Sequence, residues 1–325
     1  MRPSISEQTA VLLTAGSIEP AVALVTAAAN RGDGDALYQL ALWHVYGAPL
    51  MRDFGLARAL FKRAGDAGHK GGALTHIIFV AIGAGAKPDW HAAIKLLEKA
   101  ARTDPAAALQ CAVLDGMSLD RNGFPNHLQG VRSLSRSPKL GIIDALFTPV
   151  ECAHIIRISA AHLTPSVVVD PRTGAQMPHP IRTSDSAVLG PIQEDIVIHA
   201  LNLRIAAVTN TREEQGEPLA VMRYTAQQQY RLHHDCLPGE TNQRQSTLIA
   251  YLNQDYGGGA THFPAIDHDV KGREGDAIFF SNTRTDGAAD ESSCHAGLTV
   301  TSGEKWICTR WIRSVDFDPW GMRRT

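Results

Sequence analysis

"YRLHHDCLPG", residues 230–239, sets two histidines side by side with an aspartate directly behind them. Read as a strand, the run alternates its side chains between two faces, so His233 and Asp235 point one way and His234 the other. Only the pair separated by one residue can then grip a common ion from one strand. Two imidazoles and one carboxylate on one side of a metal, with the remaining positions open, are the set that holds non-haem Fe(II). Alone, the H-x-D spacing is a weak signal in a chain with 14 histidines. The stretch asks for a second imidazole, and for a strand-built fold that brings it close.

The flanking sequence supplies such strands. LAVMRYT (219–225), STLIAYLN (246–253), GDAIFFS (275–281), LTVTS (298–302) and KWICTRWIR (305–313) are alternating or apolar runs bounded by Gly, Asn, Asp and Ser. Short strands without long helices between them favour a double-sheet barrel, a jelly roll, over a parallel α/β sheet. Upstream, IIDALFTPVECAHIIRISA (142–160) reads as a helix.

The first hundred residues are of another kind. Ala21, Ala57 and Ala93 stand 36 apart, as do Ala28, Ala64 and Ala100, and Gly32/Gly68 and Asp53/Asp89 keep the same interval. Each unit reads as an antiparallel helix pair, ALYQLALWHVYG (36–47) then DFGLARALFKRAGDAG (53–68), with small residues where helices approach and Gly where they end. One pair cannot bury its apolar face alone, so such units stack into a solenoid. The pattern of Tyr46, Gly47, Ala57, Phe61, Lys62, Ala64 and Gly68 resembles the tetratricopeptide-like repeats of the SEL type, which implies a scaffold for protein or peptide contacts. The expected fold is α+β and multidomain, with helical repeats over 1–110, a Gly-, Pro- and Ser-rich linker or irregular edge over 111–139, and a jelly-roll domain over 140–325.

Composition narrows the partners. Lys+Arg 31 against Asp+Glu 33 leaves no dominant sign and no like-charge block, so neither nucleic acid nor a membrane surface is expected. The longest apolar run, IIFVAIGAGA (77–86), is about half the ~20 residues that a membrane span requires. The N-terminal apolar stretch is interrupted by Glu7, Glu19 and Pro20, and the five cysteines lack C-x-x-C spacing. A reduced, cytoplasmic chain is the expectation.

The order of motifs after the H-x-D decides the chemistry. YLNQDYGGGATHFP (251–264), GDAIFFSN (275–282) and DESSCHAGLTVTSGEKWICTRWIR (290–313) follow in sequence. From about Leu140 to Arg313 the chain resembles the prolyl 4-hydroxylase branch of the Fe(II)/2-oxoglutarate-dependent dioxygenases, whose domain is a double-stranded β-helix. The resemblance implies His233, Asp235 and His295 as the metal triad. It also implies Lys305 as the cation that pairs with the distal carboxylate of 2-oxoglutarate, with O2 as co-substrate and ascorbate as reductant. Tyr224 and Tyr251 match tyrosines near the metal and co-substrate. Thr309 shares the Lys305 face of its strand together with Ile307 and Trp311. Arg182 and Ser184, in RTSDS, match a segment near the substrate channel and, with Trp311, are candidates for substrate contact.

What the branch implies is hydroxylation of a C–H bond, first of a prolyl residue in a peptide or protein, with release of succinate and CO2. A small-molecule hydroxylase and a non-catalytic oxygen or 2-oxoglutarate sensor remain alternatives. Cys236 and Cys294, each next to a ligand, are expected to face away from the metal. Gly257–Gly259 reads as a tight turn or bulge, and His262 and His268 as surface or outer-shell residues.

Overall fold

The computed structural model describes residues 4–169, 176–178 and 181–321. The chain divides into a helical unit, built on the residues up to Asn126 together with Glu194–Ala200, and a β-rich unit formed by His127–Gln193 and the chain from Leu201 onward.

The helical unit contains α1 (Ile5–Thr14), α2 (Ile18–Asn30), α3 (Gly34–Tyr46), α4 (Phe54–Asp66), α5 (Lys70–Ile82), α6 (Trp90–Ala101) and α7 (Pro105–Asp115), each packed on the next. The 36-residue interval acquires physical meaning here. Ala21, Ala57 and Ala93 occupy one position on α2, α4 and α6, and each is fully buried. Asp53 and Asp89 are the N-caps of α4 and α6, accepting from the Leu56 and Ala92 amides at 2.8 and 2.9 Å. Gly47 and Gly83, also one period apart, close α3 and α5 in the left-handed conformation, at φ 70° and 77°.

The β-rich unit opens with a hairpin, β1 (Val131–Arg136) and β2 (Lys139–Ile143), followed by α8 (Pro149–Ala160). Then come β3 (Thr164–Pro165), β4 (Val167–Val169), β5 (Gln176–Pro178), β6 (Asp185–Leu189) and α9 (Ile196–Thr209). The remainder is strand: β7 (Leu219–Tyr224), β8 (Tyr230–His233), β9 (Arg244–Tyr251), β10 (Tyr256–Gly258), β11 (Thr261–Phe263) and β12 (His268–Val270). It ends with β13 (Ala277–Ser281), β14 (His295–Gly297), β15 (Val300–Gly303) and β16 (Lys305–Arg313).

Eight of these strands form one antiparallel sheet in the order β1-β2-β13-β9-β16-β7-β6-β3, and β12-β11-β14-β8 form a second. Side chains alternating from the two inner faces make a common core: Met222 and Tyr224 of β7, Ile249 and Tyr251 of β9, Phe280 of β13 and Phe263 of β11. This is the double-stranded β-helix. The outer face of the large sheet is buried as well, under α8, which contacts β6 and β7. α8 is tied to α9 by a bidentate Arg204–Glu151 pair at 2.7 and 2.8 Å, while Glu151 also closes the Thr148 capping box.

Two expectations require correction. Of the two readings of residues 111–139, the linker gives way to the irregular edge: Cys111–Asp115 complete α7, and Val131–Arg136 pair with Lys139–Ile143, with a register shift at Ser133/Ser135, to add a strand to the edge of the large sheet. Their Gly, Pro and Ser content marks turns on either side of that hairpin, and the units divide near Asn126 instead. The helix expected over 142–160 begins only at Pro149, because Ile142 and Ile143 are ladder residues of β2 facing β13. Among the described residues no helix is long and apolar enough to cross a membrane.

Candidate active site

His233 ends β8, and His295 opens β14 directly opposite it in the antiparallel register. Asp235 lies beyond the strand, in a bend that turns it back toward the imidazoles. The ligand atoms of the three residues lie within 4.8 Å of one another, with His233 Nε2 3.8 Å from Asp235 Oδ1 and His295 Nε2 4.0 Å from Asp235 Oδ2. Each imidazole donates its Nδ1–H to a backbone carbonyl, His233 to Arg231 at 2.8 Å and His295 to Ser293 at 3.1 Å. Both Nε2 lone pairs are thereby left for a metal, the orientation that outer hydrogen bonds give to ligating histidines.

Electrostatics agrees with that role. Burial, reinforced by His295, pushes His233 down to about 4, and burial also lowers His295, so both rings are neutral at neutral pH. Burial works against the Asp235 carboxylate, but attraction from His295 and His233 in acid, where the rings gain protons, and a hydrogen bond from Thr247 outweigh it and hold the group below the usual carboxylate range. Three aromatic rings fix the imidazoles. Tyr230 stacks on His233 with centroids 3.5 Å apart, Phe263 lies near-parallel to His295 at 5.5 Å, and Phe280 meets His295 edge-on at 4.8 Å.

His234 faces the other way. Its Nδ1 accepts from the Cys236 amide at 3.0 Å, which leaves Nε2–H to donate to the Asp290 carbonyl at 2.9 Å. It clamps the loop that leads into His295 and stays outside the metal set.

A narrow cavity runs from the triad to Lys305 and is lined by Tyr224, Thr309 and Trp311 among others. Lys305 starts β16 opposite Tyr224 of β7, is 2% exposed, and forms no ion pair among the described residues. Burial, with repulsion from Lys271, pushes its ammonium down to about 7. The Thr309 hydroxyl, two strand residues further along the same face per alternation, is buried without a partner. A desolvated cation beside an unused hydroxyl is a place that a carboxylate would complete. Gly259 lies against the Lys305 stem, where a Cβ would come within 3.2 Å of Lys305 Cδ. The donor set and the cavity thus fit Fe(II) at one end and the distal carboxylate of 2-oxoglutarate at the other.

The Tyr224 hydroxyl bonds Ser184. Tyr251 uses its hydroxyl on Val270 and Thr261, at 3.2 and 3.0 Å, so it walls the Lys305 pocket with its ring 5.8 Å from Nζ and has no free group to offer the co-substrate. Ser184 is fully buried and bonded to Ser166 at 3.2 Å, so it orients Tyr224 and does not reach a peptide. Arg182 is half-buried with its guanidinium over the Tyr230 ring at 5.5 Å. Trp311 faces the cavity with an unpartnered indole N–H, held from behind by Arg244, 4.0 Å from its ring, which Glu217 grips at 2.6 and 2.8 Å.

Cys236 donates its thiol to the Asn282 carbonyl at 3.3 Å and is pushed up to about 11, chiefly by burial, which removes it from thiolate chemistry. His262 pairs with Asp269 at 2.7 Å and His268 is exposed; neither lines the cavity. Gly258 and Gly259 adopt positive φ at a bulge in β10, as the glycine run implied.

Sequence reasoning left Tyr230, Thr247, Phe263, Phe280 and Asn282 unassigned. Tyr230 sits within the opening stretch, but a one-residue bulge between β8 and β14 is what brings it onto His233, and strict alternation does not supply it. Phe280 was legible as an inward position of AIFFS, since it shares a face with Ile278.

A double-stranded β-helix carrying this triad and this buried cation defines an Fe(II)- and 2-oxoglutarate-dependent dioxygenase. A family described as the 2OG-Fe(II) oxygenase superfamily matches residues 219–313. The chain is 36% identical over 199 residues to prolyl 4-hydroxylase 1 of Arabidopsis thaliana, covering 55% of this chain and 70% of that one. It belongs to the prolyl 4-hydroxylase family. Among solved structures, a viral collagen prolyl hydroxylase from Paramecium Bursaria Chlorella virus-1, in its 2OG complex, covers 54% of this chain and 96% of its own at 27% identity and a TM-score of 0.45. A Sel1 repeat protein from Oxalobacter formigenes covers 32% of this chain and 85% of its own at 22% identity and a TM-score of 0.29.

Proposed function

We propose that the protein hydroxylates a prolyl residue of a peptide or protein. The observation that carries the reading is one cavity with the His233–Asp235–His295 set at one end and, at the other, the buried Lys305, which has no ion pair among the described residues. Bound there, Fe(II) with 2-oxoglutarate and O2 supplies the oxidation that turns a C–H bond into C–OH, with succinate and CO2 released and ascorbate as reductant. The chain's part is binding and orientation. His233, Asp235 and His295 hold the metal, Lys305 and Thr309 take the distal carboxylate, and Tyr230, Phe263 and Phe280 hold the imidazoles and keep water from them. Trp311 offers a fixed indole N–H to a substrate carbonyl, and Arg182 stands beside Tyr230 on the approach.

The substrate is tested by succinate release and a mass gain of one oxygen across three panels: prolyl peptides, matched peptides with Pro replaced by Ala, and free proline. Turnover confined to the prolyl peptides is expected. Equal turnover of free proline would move the reading to a small-molecule hydroxylase, and 2-oxoglutarate binding without succinate from any substrate would move it to a sensor.

The helical unit is proposed to recruit a polypeptide. It carries a groove lined by Lys62 paired with Asp66, by Lys70, His76, Lys99 and Asp104, over an apolar floor including Ile77 and Leu96. Reversing charge at Lys70 and Lys99 should raise KM for a protein substrate several-fold while leaving a short prolyl peptide's kinetics unchanged. Recruitment fails as an idea if neither substrate responds.

A further inference from the structure

We propose that Thr247 and Asn282 are positioning residues for the metal centre, acting in series to hold the Asp235 carboxylate by one oxygen. The proposal rests on the metal reading of the triad and concerns residues outside the cavity lining.

Thr247 lies on β9, on the face shared with Ile249 and Tyr251, and its hydroxyl is 2.6 Å from Asp235 Oδ2. Asn282, immediately after β13, places Nδ2 2.8 Å from the Thr247 oxygen. Thr247 and Asn282 are both fully buried and Asp235 is 5% exposed, so water does not compete along the chain. The direction of each bond is fixed by chemistry. An ionised carboxylate only accepts, so Thr247 must donate to it. The Thr247 oxygen is then free to accept, which requires the side-chain NH2 of Asn282 to face it and leaves the side-chain Oδ1 of Asn282 buried with no hydrogen-bond partner among the described residues.

The result is polar order along one path, from amide to hydroxyl to carboxylate. Each donor strengthens the next by polarising it, and the terminal bond is charge-assisted. Oδ2 is committed to Thr247, which leaves Oδ1, 3.8 Å from His233 Nε2, as the oxygen without a protein donor. The far end is anchored independently of the carboxylate. The backbone N–H of Asn282 donates to the Gln245 carbonyl and its backbone carbonyl accepts from the Asp290 N–H, at 2.8 Å each, so the residue is pinned between β9 and the loop leading to His295. Outer hydrogen bonds of this kind are worth about 10–100-fold in metal affinity.

The test uses the full chain freed of metal and titrated with Co(II), whose visible bands report both affinity and ligand field, with circular dichroism and thermal unfolding of the metal-free protein alongside. Thr247→Val, equal in shape, should weaken Co(II) binding about 10–100-fold and shift the bands, and Thr247→Ser, which restores the donor, should return affinity to within a few-fold of the parent. Asn282→Ala should weaken binding several-fold in the parent but add nothing in the Thr247→Val background, because it acts through Thr247. A purely structural role would lower the unfolding temperature of the metal-free variants and leave affinity and bands in place, which overturns the proposal. It is equally overturned if the Asn282→Ala loss persists in full beside Thr247→Val. Should Thr247→Val not fold, Asn282→Ala alone decides: parental affinity overturns the proposal, and a several-fold loss with an altered spectrum supports it. Absence of Co(II) uptake by the parent protein would overturn the metal centre itself, an outcome distinct from all of these.

Discussion

His233→Ala and His295→Ala should each abolish succinate release and strip the protein of its high-affinity metal site, while His234→Ala should keep both. The asymmetry follows from where the three rings spend their nitrogens. In His233 and His295 the Nδ1–H is committed to a carbonyl and Nε2 faces the carboxylate of Asp235. Removing either deletes one of three ligands, a loss well beyond the about 10–100-fold that outer partners are worth. In His234 both nitrogens are already used, Nδ1 by the Cys236 amide and Nε2 by the Asp290 carbonyl. Its removal loosens the loop before His295 by one or two hydrogen bonds at about 0.5–1.5 kcal/mol each, and only the share of that cost passed on to His295 reaches the metal, so metal affinity should stay within roughly tenfold of the parent. Metal titration of the three metal-free variants, read beside turnover, checks both halves. A fatal His234→Ala with a tolerated His233→Ala would place the metal on the opposite face of β8 and undo the register.

How far the site was legible depends on which residues carry their own local signal. His233 and His295 stand at strand ends, where period-two alternation and the ordered motifs both apply, and the structure pairs them across β8 and β14. Asp235 is reached by a bend after the strand has ended, so the inference that it shares a face with His233 is right while the strand that was to deliver it stops two residues short. Tyr251 and Ser184 were legible as neighbours of the site but not as to what their hydroxyls do, because those bonds run to Thr261, Val270, Ser166 and Tyr224 on other strands or segments. The same reason hides Thr247 and Asn282, whose roles depend on contacts across 12 and 35 residues of sequence. In the helical unit the 36-residue interval was sufficient, since the repeat itself states which positions are buried and which are caps. α9 escaped notice because its apolar residues surround the whole helix, Ile196, Val197, Ile198 and Leu201 all being buried, and a helix without a polar face shows no period.

Lys305→Met should raise the dissociation constant for 2-oxoglutarate by two to three orders of magnitude and erase its pH dependence. The Met side chain matches the Lys stem, so the cavity keeps its shape and only the charge is lost. Truncating one partner of a buried, hydrogen-bonded charge pair costs about 2–5 kcal/mol, roughly 1.5 to 3.7 orders of magnitude, and the expected loss lies in the middle of that span. The pH dependence comes from burial. With no counterion among the described residues, the Lys305 ammonium of the free protein sits at about 7, whereas the dianion requires it charged. Below that value the cation is already present and binding takes up no proton. Above it each binding event must first protonate the amine, so affinity should fall by up to tenfold per pH unit, and calorimetry in buffers of different ionisation enthalpy should register the proton taken up. Stability without co-substrate moves in the opposite direction to affinity. An ordinary lysine titrates near 10.4, so between about pH 7 and 10 the unfolded chain binds more protons at this position than the folded one, and the Lys305 contribution to stability rises with pH across that window. The difference in unfolding midpoint between parent and Lys305→Met isolates it from the other groups that titrate there, and saturating 2-oxoglutarate should suppress it by returning the ammonium its carboxylate. A parent protein whose 2-oxoglutarate affinity is flat from pH 6 to 9, and unaltered by Lys305→Met, would show that the co-substrate's far carboxylate is held elsewhere.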